Sequence, residues 1–228
     1  MIGLVLAGLW RIPFLLSSPG PDDDIHRYLW DGRVQRFGYN PYLVVPSDPA
    51  VRELHAPGTR TMNNPDLPSS YPPGTQMFFR AITTIHESLF SLKVAFVFCD
   101  LAIVLVLLEI LRSSGQGAHW VLAYAWHPLL ATDVAGSGHI DIVGVLLLLV
   151  SAAALGRRWR AVAAVAFRLA VAVKFLPNRT PAALLETCSH PRRHTGGHRS
   201  WTPLCAVLKP WTNSHRFTRN LRAEFPLQ

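Results

Sequence analysis

Long apolar runs separated by polar segments predict several helices of nearly membrane-spanning length. The runs cover residues 1–17, 92–111, 118–135, 140–155 and 161–176. Each approaches the roughly 20 apolar residues that a helix needs to cross a hydrocarbon core about 30 Å thick. None shows the wide polar face of a helix in a soluble bundle. We therefore expect an all-α protein whose fold is a polytopic transmembrane helical bundle.

The polar stretch between the first two runs, residues 18–75, is predicted to be a long loop that contains an interfacial helix. Ile25, Tyr28 and Val34 recur near helical spacing, and the turn residues of 38–42 end the pattern. A helix of this kind is expected to lie on the membrane surface. Residues 76–90 are predicted to form a mixed helix that carries charged side chains.

The chain changes character after Pro177, which predicts a boundary between a membrane domain, residues 1–177, and an irregular basic tail, residues 178–228. Residues 175–228 contain 8 of the 22 Lys and Arg residues and 2 of the 14 Asp and Glu residues. The net charge of +8 therefore belongs mainly to the tail and does not indicate nucleic-acid binding. One hypothesis is that the tail is disordered or arises from a shift of reading frame, which resequencing of the locus would test.

The distribution of basic residues predicts an orientation in the membrane. The Arg-rich segment 156–160 is the strongest cytoplasmic signal. If it lies inside, residues 136–139 lie outside, and the loop 18–75 also lies outside provided that 76–90 does not span. If 76–90 spans the membrane, the assignments reverse.

Three consecutive aspartates, Asp22, Asp23 and Asp24, open the interfacial helix. A carboxylate there can act as a general base toward a hydroxyl group, or Asp23 and Asp24 can bind a divalent metal such as Mg or Mn. The alternative is a solvated acidic turn that caps the helix, because free N–H groups and the helix dipole favour Asp at an N-terminus.

Several blocks together resemble the signatures of polytopic glycosyltransferases of the GT-C class. They are closest to bacterial glycosyltransferase family 87 and related polyprenyl-phosphate mannosyltransferases. The blocks occur in the order of that family and span most of residues 1–177. They are residues 23–35 (DDIHRYLWDGRVQ), 38–42 (GYNPY), 64–66 (NPD), 71–73 (YPP), 124–129 (YAWHPL), 136–141 (GSGHID) and 173–177 (VKFLP).

The resemblance implies an integral protein of the bacterial plasma membrane that transfers a hexose, usually mannose, with inversion. The donor would be a polyprenyl-phosphate sugar and the acceptor an extracytoplasmic glycan or glycolipid. Asp24 matches the position of the catalytic base best, with Asp23 next. Six further positions within these blocks imply substrate contacts, some of them with the departing phosphate. These positions are Arg27, Tyr28, Tyr71, His139, Asp141 and Lys174.

Two other functions are compatible with the sequence. A secondary transporter would explain the acidic residues Asp100 and Asp133 in or near apolar runs, although no internal repeat accompanies them. A non-catalytic remnant of a glycosyltransferase would explain the departure from the family pattern after residue 177. Asp100 must face the bundle interior and have a partner, because a carboxylate at a membrane helix centre costs about 2.5–3.5 kcal/mol.

Overall fold

The computed structural model describes residues 2–20, 24–60 and 62–174. These residues are helical, with turns and loops between the helices and no β-strand among them. The predicted tail, 178–228, lies outside the described residues. The α-helices of the described part are α1 (Ile2–Trp10), α2 (Ile12–Leu16), α3 (Ile25–Arg36), α4 (Pro73–Ile85), α5 (Leu89–Ser113), α6 (Val121–Ala125), α7 (Pro128–Leu130), α8 (Asp141–Gly156) and α9 (Arg160–Val173).

The longest helix, α5, has 25 residues, and within the described part it alone is long and apolar enough to cross a membrane. Two shorter apolar stretches are Ile2–Leu16, which comprises α1 and α2, and Asp141–Gly156, which is α8. The predicted first helix is interrupted at Arg11, two residues before Pro13. Proline lacks the N–H that would continue the ladder of an uninterrupted helix.

The prediction of one continuous helix over 118–135 is wrong. This segment consists of a 3₁₀ turn (Ala118–Trp120), α6, α7 and a π-helix (Ala131–Ser137). The break between α6 and α7 falls at His127, whose backbone is extended at φ −69° and ψ 120°. The residue before a proline avoids the helical conformation, and Pro128 therefore begins a new helix.

The predicted helix after the aspartates is present as α3, but it does not lie on a surface. Residues 25–32 are all buried, on every side of the helix. Helix α4 packs along one side of α3, and Val51 of a 3₁₀ helix (Pro49–Leu54) contacts Trp30 and Val34 on another. The expectation of a helix lying at the membrane surface is corrected here, because the long loop folds back over it. The left-handed Gly38 (φ 85°) follows the helix.

Close backbone approaches join α4 to two other helices. A Cβ atom added at Gly32 of α3 would lie 2.6 Å from Thr83 Oγ1 and 2.8 Å from the Phe79 carbonyl oxygen. At the other end of α4, a Cβ atom at Gly74 would lie 2.7 Å from the backbone of Ala172 in α9. Glycine at both positions lets the backbones meet, and this brings the end of α9 to the segment that follows Tyr71.

Gly32→Ala is expected to lower the free energy of unfolding by about 1–3 kcal/mol, because the new methyl group has no space between α3 and α4. Gly8→Ala in α1 is a matched control. Among the described residues, a Cβ atom at that position meets nothing within 4 Å beyond its own turn of helix, and the same change should be neutral or stabilise by about 0.5–1 kcal/mol. Thermal unfolding of both variants in one detergent checks the difference. Equal stability of the two variants would contradict the close packing.

The two ends of α5 have different neighbours. At its N-terminal end, Lys93 Nζ donates to the carbonyls of Phe14 (2.8 Å) and Ser17 (2.6 Å), next to the loop that carries the aspartates. At its C-terminal end, Glu109 forms an ion pair with Arg157 at 2.5 Å. A helix of 25 residues is about 37 Å long, so the aspartate loop and the Arg-rich segment lie at opposite ends of it.

Candidate active site

Asp24 stands at the N-terminal end of α3, but its side chain does not cap the helix. Asn63 Nδ2 instead donates to Asp24 Oδ1 at 2.5 Å, and Tyr71 lies near enough to the Asp24 carboxylate to interact with it electrostatically. For Asp24, the capping alternative is therefore contradicted. The carboxylate is held by a side chain from a distant part of the loop, and it is half-buried.

Two tyrosines lie next to each other beside Asp24. Tyr28 and Tyr71 meet edge-on, and the Asp24 carboxylate acts electrostatically on both phenols. Burial, followed by the neighbouring negative charge of Asp24, raises the pKa of Tyr71 above its ordinary value. Burial also raises the pKa of Tyr28. Both phenols consequently stay protonated and can act as donors.

Tyr28 lies deep in an aromatic cluster rather than at an open surface. Its side chain is 1% exposed, it stacks on Phe79 with ring centroids 4.5 Å apart, and it meets Tyr71 edge-on at 5.1 Å. Tyr71, by contrast, is half-buried. The structure thus packs Tyr28 against Tyr71, and the predicted contact of Tyr28 with substrate remains a prediction.

Arg27 belongs to a buried polar network one turn along α3. Its Nε donates to Asp31 Oδ1 at 3.0 Å, and its Nη1 donates to the Asn64 carbonyl at 3.3 Å. Ser69 and Gln76 also donate to Asp31, which is fully buried. Burial raises the pKa of Asp31, and these three donors act in the opposite direction. Every donor thus offsets part of the cost of burying the carboxylate.

One nitrogen of Arg27 stands apart from this network. Within the part of the chain that the structure describes, Nη2 has no hydrogen-bond partner, although the residue is only 5% exposed. A buried guanidinium N–H without an acceptor is unusual, and a carboxylate or phosphate oxygen would satisfy it. Arg27 therefore has the chemistry to bind an anion beside Asp24.

The other predicted site residues come from the loop before α8 and from the end of α9. The His139 ring Nδ1 lies 3.1 Å from the Asp133 carbonyl oxygen. A Cβ atom at the preceding residue, Gly138, would lie 2.5 Å from Ile25 Cδ1, so this loop packs directly against the start of α3. Asp141 and Lys174 form an ion pair with each other, and both are about half-exposed. Their predicted substrate contacts remain predictions.

Asp100, the acidic residue within an apolar helix, has the partner that the sequence required. Arg11 Nε forms an ion pair with Asp100 Oδ2, and the Tyr124 hydroxyl donates to Asp100 Oδ1 at 2.9 Å. Arg11 Nη1 also donates to the carbonyls of Ala7 and Ala125. This cluster connects α1, α5 and α6. A carboxylate bound in this way gives no support to the transporter alternative.

A metal site on Asp23 and Asp24 was one sequence expectation. Asp23 lies outside the described residues. Over 2–20, 24–60 and 62–174 no group of three or more His, Cys, Asp and Glu side chains is placed to hold a metal ion. Asp24 is the one carboxylate of the predicted pair whose surroundings are described, and it accepts a hydrogen bond from Asn63 there. A divalent cation bound by Asp23 and Asp24 remains a prediction.

The sequence did not indicate three residues that hydrogen-bond to Asp24 or Asp31. Asn63 lies one position before the NPD block, and Ser69 and Gln76 lie in the flanks of the YPP block. Nothing in the local pattern distinguishes them from ordinary loop residues, because their partners, Asp24 and Asp31, are 38 or more positions away in the chain. The sequence also gives no sign that Arg11, within the first apolar run, is the partner of Asp100.

Comparison with known proteins identifies the family. No curated protein and no solved structure matches the chain. A family model does match, and its description is alpha-(1->6)-mannopyranosyltransferase, N-terminal domain. The match covers residues 3–183, and so includes Asp24, both tyrosines, Arg27, the loop before α8 and the end of α9. The expectation of a GT-C mannosyltransferase-like protein is confirmed, and the chain belongs to the alpha-(1->6)-mannopyranosyltransferase family through its N-terminal domain.

Proposed function

We propose that this protein is a membrane mannosyltransferase that moves mannose from a polyprenyl-phosphate donor to a hydroxyl group of a glycan or glycolipid, with inversion. The observation that carries the proposal is the placement of Asp24, a half-buried carboxylate that accepts a hydrogen bond from Asn63 and lies beside Tyr71 inside the matched domain. In an inverting transfer the hydroxyl attacks the anomeric carbon in a single displacement. The base must therefore already be oriented toward that hydroxyl when the attack occurs.

In the proposed reaction Asp24 accepts the proton of the acceptor hydroxyl as that oxygen attacks the anomeric carbon of mannose. The new carbon–oxygen bond forms on the face opposite the phosphate, and the bond from the anomeric carbon to the phosphate oxygen breaks. The leaving polyprenyl phosphate carries away the electron pair and gains negative charge. Positive charge near the departing oxygen lowers the barrier, and a general base contributes about 10²- to 10⁴-fold.

Arg27 is the best-supported candidate to meet the departing phosphate. Its Nη2 has no acceptor among the described residues, and it lies three residues from Asp24, on the same side of α3. Lys174 and His139 are proposed as further cationic contacts. Lys174 is paired with Asp141, and binding of a phosphate there would require the lysine to exchange one anion for another.

We also propose that the protein is polytopic, with α5 as one span and the two shorter apolar stretches as parts of others. The 13 residues of α4 measure about 20 Å, which is less than a bilayer core requires. A non-spanning α4 favours the scheme in which segment 156–160 is cytoplasmic. The aspartate loop, at the opposite end of α5, would then face the extracytoplasmic side, where a lipid-linked donor and a surface acceptor meet.

The donor proposal is tested with the full chain in lipid vesicles, supplied with radiolabelled polyprenyl-phosphate mannose and an α-mannoside acceptor. We expect label in the product and an anomeric configuration opposite to that of the donor. GDP-mannose is the control donor and should give no product. Transfer from GDP-mannose alone, or retention of configuration, would contradict the proposal. Absence of transfer from either donor would favour the non-catalytic alternative.

A divalent cation, Mg or Mn, remains a proposal that rests on the adjacency of Asp23 and Asp24. If these carboxylates bind one, EDTA should abolish transfer and added Mg or Mn should restore it. Unchanged transfer in EDTA would contradict the cation and leave the Asn63 amide as the group that holds Asp24.

A further inference from the structure

Two consecutive loop residues, Asn63 and Asn64, hydrogen-bond to Asp24 and Arg27 at the start of α3. The Asn63 side chain donates to Asp24 Oδ1 at 2.5 Å. The carbonyl of the next residue, Asn64, accepts from Arg27 Nη1 at 3.3 Å. Asp24 and Arg27 are three positions apart in a helical segment, and their side chains therefore lie on one side of it. One short turn thus contacts both the proposed base and the proposed phosphate-binding cation.

The conformation of this turn is set by its own residues. Asn64 has a left-handed backbone (φ 47°), which Asn tolerates better than most residues with a side chain. The turn is closed by a hydrogen bond from the Leu67 N–H to the Asn64 carbonyl (3.2 Å). It is also tied to another part of the loop by a bond from the Ser47 N–H to the Pro65 carbonyl (3.0 Å). Asn63 therefore approaches Asp24 from an anchored backbone.

We propose that Asn63 is a positioning residue for Asp24, and that the Asn63–Asn64 turn acts as a strap that fixes the base relative to Arg27. The proposal rests on the proposed function, since it assigns Asn63 a part in that reaction. An amide N–H bond to one carboxylate oxygen restrains rotation of the side chain and directs the other oxygen. A base displaced by even 1 Å can lose a large part of its effect.

This role predicts a specific pattern of kinetics. Asn63 acts through Asp24 rather than on the substrate, so Asn63→Ala should lower kcat about tenfold and leave KM within about twofold. Asn63→His, which keeps a ring N–H donor, should recover part of the lost kcat. Asn40→Ala is the matched control. The Asn40 side chain accepts from the Tyr42 backbone N–H at 3.0 Å in the same loop, and its loss should leave kcat unchanged.

The contact itself is tested without activity, by thermal unfolding of the full chain in detergent. The variants are Asn63→Ala, Asp24→Ala and the double variant, which form a double-mutant cycle. If the side chains interact, the loss of Tm in the double variant will be smaller than the sum of the single losses. Additive losses would overturn the strap whether or not transfer is observed.

The outcomes separate this inference from the proposed function. Transfer by wild type with an unchanged kcat in Asn63→Ala would overturn the strap and leave the function standing. A raised KM with unchanged kcat would also overturn it, since Asn63 would then bind substrate. If wild type transfers no mannose, the proposed function fails, and the unfolding cycle decides whether the strap exists. Reduced kcat, recovery by Asn63→His and non-additive Tm losses together support it.

Discussion

Asp24→Asn is expected to lower kcat for mannosyl transfer by about 10²- to 10⁴-fold, the range that a positioned general base contributes. The amide has nearly the same shape as the carboxylate and can still accept from Asn63, but it cannot take a proton from the acceptor. The fold should therefore persist. Initial rates with radiolabelled polyprenyl-phosphate mannose, and thermal unfolding of the same preparations, check the two halves of this expectation.

The chain offers a matched control in the same loop. Asp48 is exposed, and its Oδ1 accepts from the Ala50 backbone N–H at 2.9 Å, at the start of a 3₁₀ helix. Asn serves as well as Asp at such a position, and Asp48→Asn should keep both stability and kcat. If Asp24→Asn transfers mannose as fast as Asp48→Asn, Asp24 is not the base. Asp23, the other predicted catalytic residue, would then be the next carboxylate to replace.

The part of the fold that the sequence predicts well is the part governed by long-range apolar composition. The runs at 92–111 and 140–155 reappear as α5 and α8 with ends shifted by a few residues. Their identity depends on many side chains at once, which makes the signal robust. The run at 118–135 is also mostly apolar but breaks at His127, because a single proline outweighs the apolar character of its neighbours.

Burial of α3 was not predictable from its own sequence. Its aromatic and apolar residues at near-helical spacing suit a membrane surface and a protein interior equally well. What decides between them is the covering provided by α4 and by the 3₁₀ helix at Pro49–Leu54, and that depends on contacts across the long loop. Gly32 allows α4 to approach α3, but nothing in the sequence distinguishes it from any other glycine within a helix.

The candidate site likewise contains residues that the sequence indicates and residues that only the three-dimensional structure reveals. Asp24 and Tyr71 lie in recognisable blocks, and the structure brings them into contact. Asn63 contacts the same carboxylate but lies outside any block, so its role depends on three-dimensional placement alone. The Arg11–Asp100 pair is intermediate. The cost of a charge in an apolar helix predicts that Asp100 has a partner, and only the fold identifies the arginine 89 positions earlier.

That pair carries the second large expected effect. Arg11→Met or Asp100→Leu alone should lower the free energy of unfolding by about 3–5 kcal/mol, because each leaves a buried charge without its counter-charge. Arg11 is 2% exposed and Asp100 is fully buried, so water cannot take the place of the missing partner. Unfolding of the full chain in detergent, followed by circular dichroism, measures the change.

The double variant Arg11→Met/Asp100→Leu separates stabilisation by the pair from the penalty of breaking it. Replacement of both charges by apolar groups is often neutral or stabilising, and we expect most of the lost stability to return. About 1 kcal/mol should remain lost, since Tyr124 then lacks the acceptor that it has in Asp100.

Arg157→Met is the control. Arg157 and Glu109 are 45% and 40% exposed, and breaking a surface pair costs about 0–1 kcal/mol. If Arg11→Met were no more harmful than Arg157→Met, the charges at Arg11 and Asp100 would have to be hydrated, and the buried link between α1, α5 and α6 would be wrong.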